Sequence, residues 1–311
     1  MELSKLIEKY LKKCTARRLT PETIANYRGN LLTFQRWWND RNLNDLDDDD
    51  IDDYIFYLDS LKTINGTTLN NKLRDLRAFI KYAQKKEWCG EVEITIPKIQ
   101  EPEIIPLEDD QLKDIYDACL LRKTLDRFRD YTIMRMMEET GIRLGECLRL
   151  KINDLNFQNN RTELRKTKNK KTRAIYITPV FKKDLKIYLE ARERFLAKRN
   201  IKTNALWIVT KAPNMGKPVR PRTIQDRINK YGKLAGISIR VSPHTFRHTF
   251  ARNWIVNGGD IFVLQELLGH STLDMVRRYV RLFDQDRQNT YFKTMKHREK
   301  IKRRHIGKPK I

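Results

Sequence analysis

Ser242-Pro243-His244-Thr245-Phe246-Arg247-His248 is the stretch on which the rest of the chain depends. Ser242-Pro243 is a helix start: the serine hydroxyl can accept an orphan backbone N–H, and proline suits the first helical position. Helical spacing then puts His244 and Arg247 one turn apart on one face. A planar guanidinium can bond two oxygens of one phosphate, and an imidazole beside it can carry a proton or donate to that phosphate. His244 and His248 are four apart, a spacing that also suits a metal pair. No Glu stands between them as in a zinc hydrolase motif, and no third ligand is spaced nearby. His248 is therefore read as a packed helix residue.

Matching chemistry lies on either side. Downstream, Leu268-Gly269-His270-Ser271-Thr272 stops one helix at a glycine and caps the next at Ser or Thr. Tyr279 follows about two turns into that next helix, among Arg277, Arg278 and Arg281. A phenol with a reference pKa near 10 needs nearby cations or a base to act as a nucleophile at neutral pH. Upstream, Thr140-Gly141-Ile142-Arg143-Leu144-Gly145-Glu146 places a second arginine after a glycine able to make a tight turn. Between them, strands are expected near 161–166 and 173–178, joined by a lysine-rich loop. Arg165, Lys166, Lys168, Lys170, Lys171 and Arg173 crowd this hairpin. Most of them read as solvated charges, with Lys166, Lys170, Lys171 and Arg173 suited to gripping an anionic backbone.

Composition narrows the partner. The 311 residues carry 64 Lys plus Arg against 40 Asp plus Glu, a formal charge of +24. A polyanion is implied. No apolar run approaches the roughly 20 residues of a membrane span, and the first ten residues lack a signal-peptide core. Nucleic acid is thus preferred over a membrane, and the cytoplasm or nucleoid is the expected location. Cys14, Cys89, Cys119 and Cys147 form no Cys-x-x-Cys pair, so neither a disulfide framework nor a zinc site is expected.

The fold class is mainly α with a small β-sheet. Residues 1–96 read as four short helices. Thr20-Pro21 starts the second, the acidic run Asp45–Asp53 leads into the third, and Asn65-Gly66 reads as a turn before the fourth. The fourth buries Leu69, Leu73, Leu76, Phe79 and Ile80, and its other side is assigned Lys72, Arg74, Arg77 and Lys81 as DNA contacts. Pro97, Pro102 and Pro106 mark an extended linker over 97–106. The second domain, 107–297, is α+β, with helices expected near 108–120, 125–140, 180–198, 223–235, 244–257, 260–268, 272–280 and 285–297. A basic tail follows over 298–311.

Arg143, Lys168, His244, Arg247, His270 and Tyr279, in this order and with these neighbours, closely resemble the active set of the tyrosine recombinases, or phage integrase family. The resemblance implies a helical core-binding domain over 1–96, a catalytic domain over 107–297, and the size class of Xer recombinases without an arm-binding domain. It assigns Tyr279 as nucleophile, the two arginines to the phosphate, Lys168 as the acid that protonates the departing 5′ oxygen, and Glu146 as the acidic residue behind the site. Lys166 and Lys170 stay open as alternatives to Lys168. It further implies a clamp on double-stranded DNA, a homo-tetramer on two recombination sites, and no cofactor, neither metal nor ATP. Accessory factors stay open. A type IB topoisomerase or telomere resolvase would use similar chemistry. A non-catalytic DNA-binding protein would not need a tyrosine beside two arginines.

Overall fold

The computed structural model describes residues 2–39, 41–98, 104–164 and 173–269, with Val276, Arg277, Tyr279 and Tyr291. Two compact units divide at Pro102–Glu103. The first holds α1 (Leu3–Ala16), α2 (Pro21–Trp38), α3 (Asp48–Ser60) and α4 (Gly66–Gln84). Leu3, Leu6, Leu31, Phe34, Trp38, Tyr54, Leu73 and Phe79 fill its core. The caps explain the boundaries. Thr20 Oγ1 accepts the Thr23 N–H at 3.2 Å, and Asp47 accepts that of Asp50 at 2.9 Å. Asn65-Gly66 is not a free turn: Asn65 Oδ1 accepts the Thr68 N–H at 2.9 Å, so Asn65 caps α4 and Gly66 is its first residue.

In the second unit α5 (Asp109–Leu120), α6 (Leu125–Thr140), α8 (Pro179–Ala197), α9 (Pro221–Leu234) and α10 (Pro243–Val256) surround one core. α6 runs through its centre, with Ile133, Met134, Met136 and Met137 fully buried. Buried Asp130 ties α6 to α9, accepting from Tyr231 Oη at 2.6 Å and pairing with Arg227 at 2.5 Å. A short helix that was not expected, α7 (Leu144–Leu148), directly follows the α6 stop; at five residues it is too short for a periodic pattern to show.

The sheet is antiparallel, ordered β1 (Leu155–Asn156), β2 (Arg161–Leu164), β3 (Arg173–Tyr176). Its register pairs Thr162 with Ile175 and Leu164 with Arg173. β3 stops at Tyr176 rather than running to 178, because Thr178 caps α8 by accepting from Phe181 N at 3.2 Å. α11 (Ile261–Leu268) closes against α10 through Leu264, Leu268 and Ala251. Val276, Arg277, Tyr279 and Tyr291 are helical. The rest of the expected 272–280 and 285–297 helices, and the 298–311 tail, lies outside the described residues.

Candidate active site

Two helix stops shape the site. α6 ends at Gly141, whose φ of +60° lies in the left-handed region, and α11 ends at Gly269 with φ +62°. Both are conformations that glycine adopts without the cost of a Cβ. A helix C-terminus leaves carbonyls without intrahelical partners and carries the negative end of the helix dipole. Here those carbonyls hold the arginines. Arg247 donates through Nη1 to the Gly141 oxygen and through Nη2 to the Leu268 oxygen at 2.6 Å. Arg143 donates through Nη2 to the Gly269 oxygen at 3.1 Å.

Glu146 binds the cluster from below. It accepts from the Arg143 backbone N–H and from Arg143 Nη1, both at 3.3 Å. It also pairs with Arg173 Nη2 at 2.5 Å, where both side chains are almost wholly buried. Burial alone would raise the Glu146 pKa, but Arg173 and Arg143 hold it below the ordinary carboxylate value. The Arg173 guanidinium is itself held below its usual value, by burial first and by Arg143, despite its carboxylate. Pairing should favour the charge on both partners, and only the carboxylate responds that way. Loss of hydration dominates at the buried Arg173 guanidinium, and Arg143 adds to it. Arg247 is also lowered, by burial, Arg143 and Arg173. Among the described residues, Arg143, Arg173 and Arg247 gather around one acid, Glu146, and the excess charge suits an anion such as a phosphodiester.

Arg173 is therefore no solvated backbone grip, as its hairpin position suggested. Side chains in a strand alternate faces, so the register that buries Ile175 sends Arg173 inward as well. Its Nε and Nη1 are buried and have no hydrogen-bond partner among the described residues. Lys72 departs from its assignment too. Its Nζ donates to Thr33 Oγ1 at 3.0 Å and to Asn30 Oδ1 at 3.4 Å, tying α4 to α2. Arg74, Arg77 and Lys81 are exposed, about half a turn away from it.

α10 presents its reactive face as spacing predicts. The His244 and His248 rings lie 6.3 Å apart, with Arg247 between them in sequence. Loss of hydration, Arg247 and Arg143 all lower the His244 pKa. His248 is more than packing: its Nδ1 lies 2.8 Å from Tyr279 Oη. Tyr279 is buried, 4% exposed, against Leu264, Leu268 and Val276. The signal for His248 was its place on the His244–Arg247 face, a spacing weighed only for metals. Among the described residues, no three His, Cys, Asp or Glu side chains gather as metal ligands. Lys168, His270, Lys166, Lys170 and Lys171 lie outside the described residues, as do Arg278 and Arg281. No helix among those described is long and apolar enough to cross a membrane.

Comparison with known proteins shows the family. Residues 106–286 match the model of the phage integrase family, and residues 6–89 match the phage integrase N-terminal SAM-like domain. A tyrosine recombinase of Pseudothermotoga lettingae is 30% identical over 278 residues, covering 87% of this chain and 91% of that protein. The tyrosine recombinase XerC of Bacillus subtilis is 25% identical over 292 residues, covering 92% and 94%. A crystal structure of XerA recombinase is 26% identical with a TM-score of 0.53, covering 94% of this chain and 99% of that one. The fold is also that of XerH site-specific recombinase in a post-cleavage complex with its palindromic difH substrate. There the TM-score is 0.70 at 22% identity, over 93% of this chain and 83% of that one.

Proposed function

The chain belongs to the phage integrase family, and from that premise we propose that it is a site-specific recombinase that breaks and rejoins DNA strands through Tyr279. The observation that carries the assignment is the buried Tyr279 hydroxyl against the α10 face that also bears His244 and Arg247. Arg143 and Arg247 neutralise the non-bridging phosphate oxygens as charge gathers in the transition state. Tyr279 attacks phosphorus, a 3′-phosphotyrosyl bond forms, and the 5′ oxygen leaves with a proton from Lys168. His244 and His270 donate to the phosphate or carry protons, and Glu146 keeps the arginines aligned. A 5′ hydroxyl from the partner strand reverses the step. The bond energy stays in the phosphotyrosine link, so no ATP is consumed.

DNA is held through Arg74, Arg77 and Lys81 on the first unit and through Lys166, Lys170 and Lys171 on the hairpin. Four copies act on two recombination sites, in the cytoplasm on the nucleoid. The test is a nicked suicide substrate built from DNA flanking the gene. The wild-type chain should give a covalent adduct on a denaturing gel. Tyr279→Phe should bind the DNA and give none. An adduct that survives in Tyr279→Phe would move the nucleophile elsewhere. Relaxation of supercoiled plasmid without joining between sites would favour a topoisomerase instead.

A further inference from the structure

Resting on Tyr279 as the nucleophile, the His248 contact supports a further assignment. We propose that His248 is the general base of the reaction: its Nδ1 takes the Tyr279 hydroxyl proton as the oxygen attacks phosphorus. A general base must lie within hydrogen-bond reach of the proton it removes, and the 2.8 Å from Nδ1 to Oη meets that condition. The rings lie 5.5 Å apart and are inclined at 51°, not stacked.

Elimination among the described groups points the same way. Arg143, Arg173 and Arg247 are already protonated and cannot accept. Glu146 is the one carboxylate at the cluster, and its oxygens are engaged by Arg143 and Arg173; those cations also make it a poor proton acceptor. Further along the same helix Arg252 is paired with Glu108 at 2.9 Å, and the only charged residue of α11 is Glu266. His244 lies a helical turn beyond His248, their rings 6.3 Å apart. Bulk water is a weak alternative, because Tyr279 is buried. A protonated phenol is a weak nucleophile, and a neutral imidazole within hydrogen-bond reach is the ordinary acceptor for its proton.

The proton count closes. The Oη–H proton moves to Nδ1, the Oη–P bond forms, and the P–O5′ bond breaks. The leaving oxygen takes a different proton, from Lys168. On rejoining, a 5′ hydroxyl attacks and gives its proton to the neutral Lys168 amine left by the first step, and the imidazolium returns its own proton to the departing tyrosine.

The test uses His248→Gln and His248→Ala in the full chain, with single-turnover cleavage of the nicked substrate at saturating protein. Gln keeps comparable reach and a hydrogen bond to Tyr279 but cannot take the proton. Melting and DNA-binding isotherms check the fold, and His248→Gln carries the test alone if the Ala variant melts too low. Both should bind DNA like the wild type and cleave about 10²–10⁴ more slowly. Added imidazole should restore at least about tenfold in His248→Ala, rising with the basicity of substituted imidazoles, and little in His248→Gln, where the space is filled. A His248→Gln chain cleaving within about threefold of the wild type would overturn the assignment, since a general base contributes far more than that. So would a slow, folded His248→Ala chain indifferent to imidazole. A wild-type adduct that Tyr279→Phe abolishes upholds the recombinase assignment whatever His248 does; no wild-type adduct overturns both.

Discussion

Glu146→Gln is the substitution that best probes the cationic cluster. Gln preserves shape and one acceptor but removes the charge that balances Arg173 and Arg143. The Glu146–Arg173 pair is nearly inaccessible to water, with side chains 5% and 7% exposed. Breaking a buried pair by removing one partner costs about 3–5 kcal/mol, because the remaining charge is left without compensation. Gln retains part of the hydrogen bonding, so the lower end, about 3 kcal/mol, is expected. For a unit of this size that converts to a melting temperature lower by roughly 6–12 °C. Sulfate should restore part of the loss, since an anion can replace the missing charge. An anion at about tenfold its Kd stabilises by about 1.4 kcal/mol, with chloride at matched ionic strength as the control.

The pH dependence has a definite sign. The folded Glu146 pKa is depressed, so its contribution is fully present above the ordinary carboxylate value near 4.3–4.5. It is lost as pH falls through the lower folded value. The gap between wild type and Glu146→Gln should therefore be widest near neutrality and close in acid. The assay is thermal unfolding followed by circular dichroism across pH 3–8, a range chosen to bracket the roughly 4.3–4.5 reference value. A variant that melts within about 2 °C of the wild type at pH 7, with no sulfate gain, would refute the reasoning, because it implies under about 1 kcal/mol from the pair.

Three further outcomes are expected. Gly141→Ala would force a Cβ into a left-handed backbone and against Phe250 and Leu268; a loss of about 2 kcal/mol or more is expected in chemical denaturation, with cleavage falling further than DNA affinity because the Gly141 carbonyl holds Arg247. Replacing Arg74, Arg77 and Lys81 together by Ala should flatten the log–log salt dependence of DNA binding by roughly 3, at about 0.9 per phosphate contact, whereas Lys72→Met should leave that slope alone and lower the stability of the first unit. Lys168→Ala should cleave a substrate with a 5′ bridging sulfur far better than its oxygen counterpart, since sulfur leaves without a proton; rescue only at Lys166→Ala or Lys170→Ala would move the acid to a neighbour.

Legibility in the sequence followed the range of each signal. Caps and periodic apolar faces are local, so the helices of both units could be read from Thr20-Pro21, Asp47 and Ser242-Pro243. The same holds for the α10 face, where spacing alone aligns His244 with Arg247. α7 is too short for periodicity, and β1 has two residues, so neither left a pattern. Lys72 was misplaced because charge on a helix suggests solvent, yet Asn30 and Thr33 on a different helix claim its ammonium. Arg173 was misplaced because its lysine neighbours outweighed the alternation that Ile175 already revealed. His248 was misplaced because its partner stands 31 residues away, a distance at which no spacing rule applies.

Arg143 and Arg247, the two arginines proposed to act on the phosphate, differ in what holds them, and this decides how each should fail. Arg247 is buried and donates to the Gly141 and Leu268 carbonyls. Both of these bonds go to helix ends. Arg143 is about 30% exposed on its side chain and is shared between Glu146 and the Gly269 carbonyl. Helix-end carbonyls are fixed dipoles that neither titrate nor depend on salt as a free charge does. Glu146 does titrate. Acid or Glu146→Gln should then loosen Arg143 and Arg173 first, while Arg247 responds chiefly to the glycines that fix its carbonyls. Gly269 bears on both sides of this division: its carbonyl takes Arg143, and a Cβ there would come within 3.1 Å of Arg173 Cδ and Nε. Gly269→Ala should accordingly disturb Arg143 and Arg173 together, and its effect should not add to that of Glu146→Gln, since both act on one network. Additive losses in cleavage from the double variant would show that the carbonyl and the carboxylate hold these arginines independently.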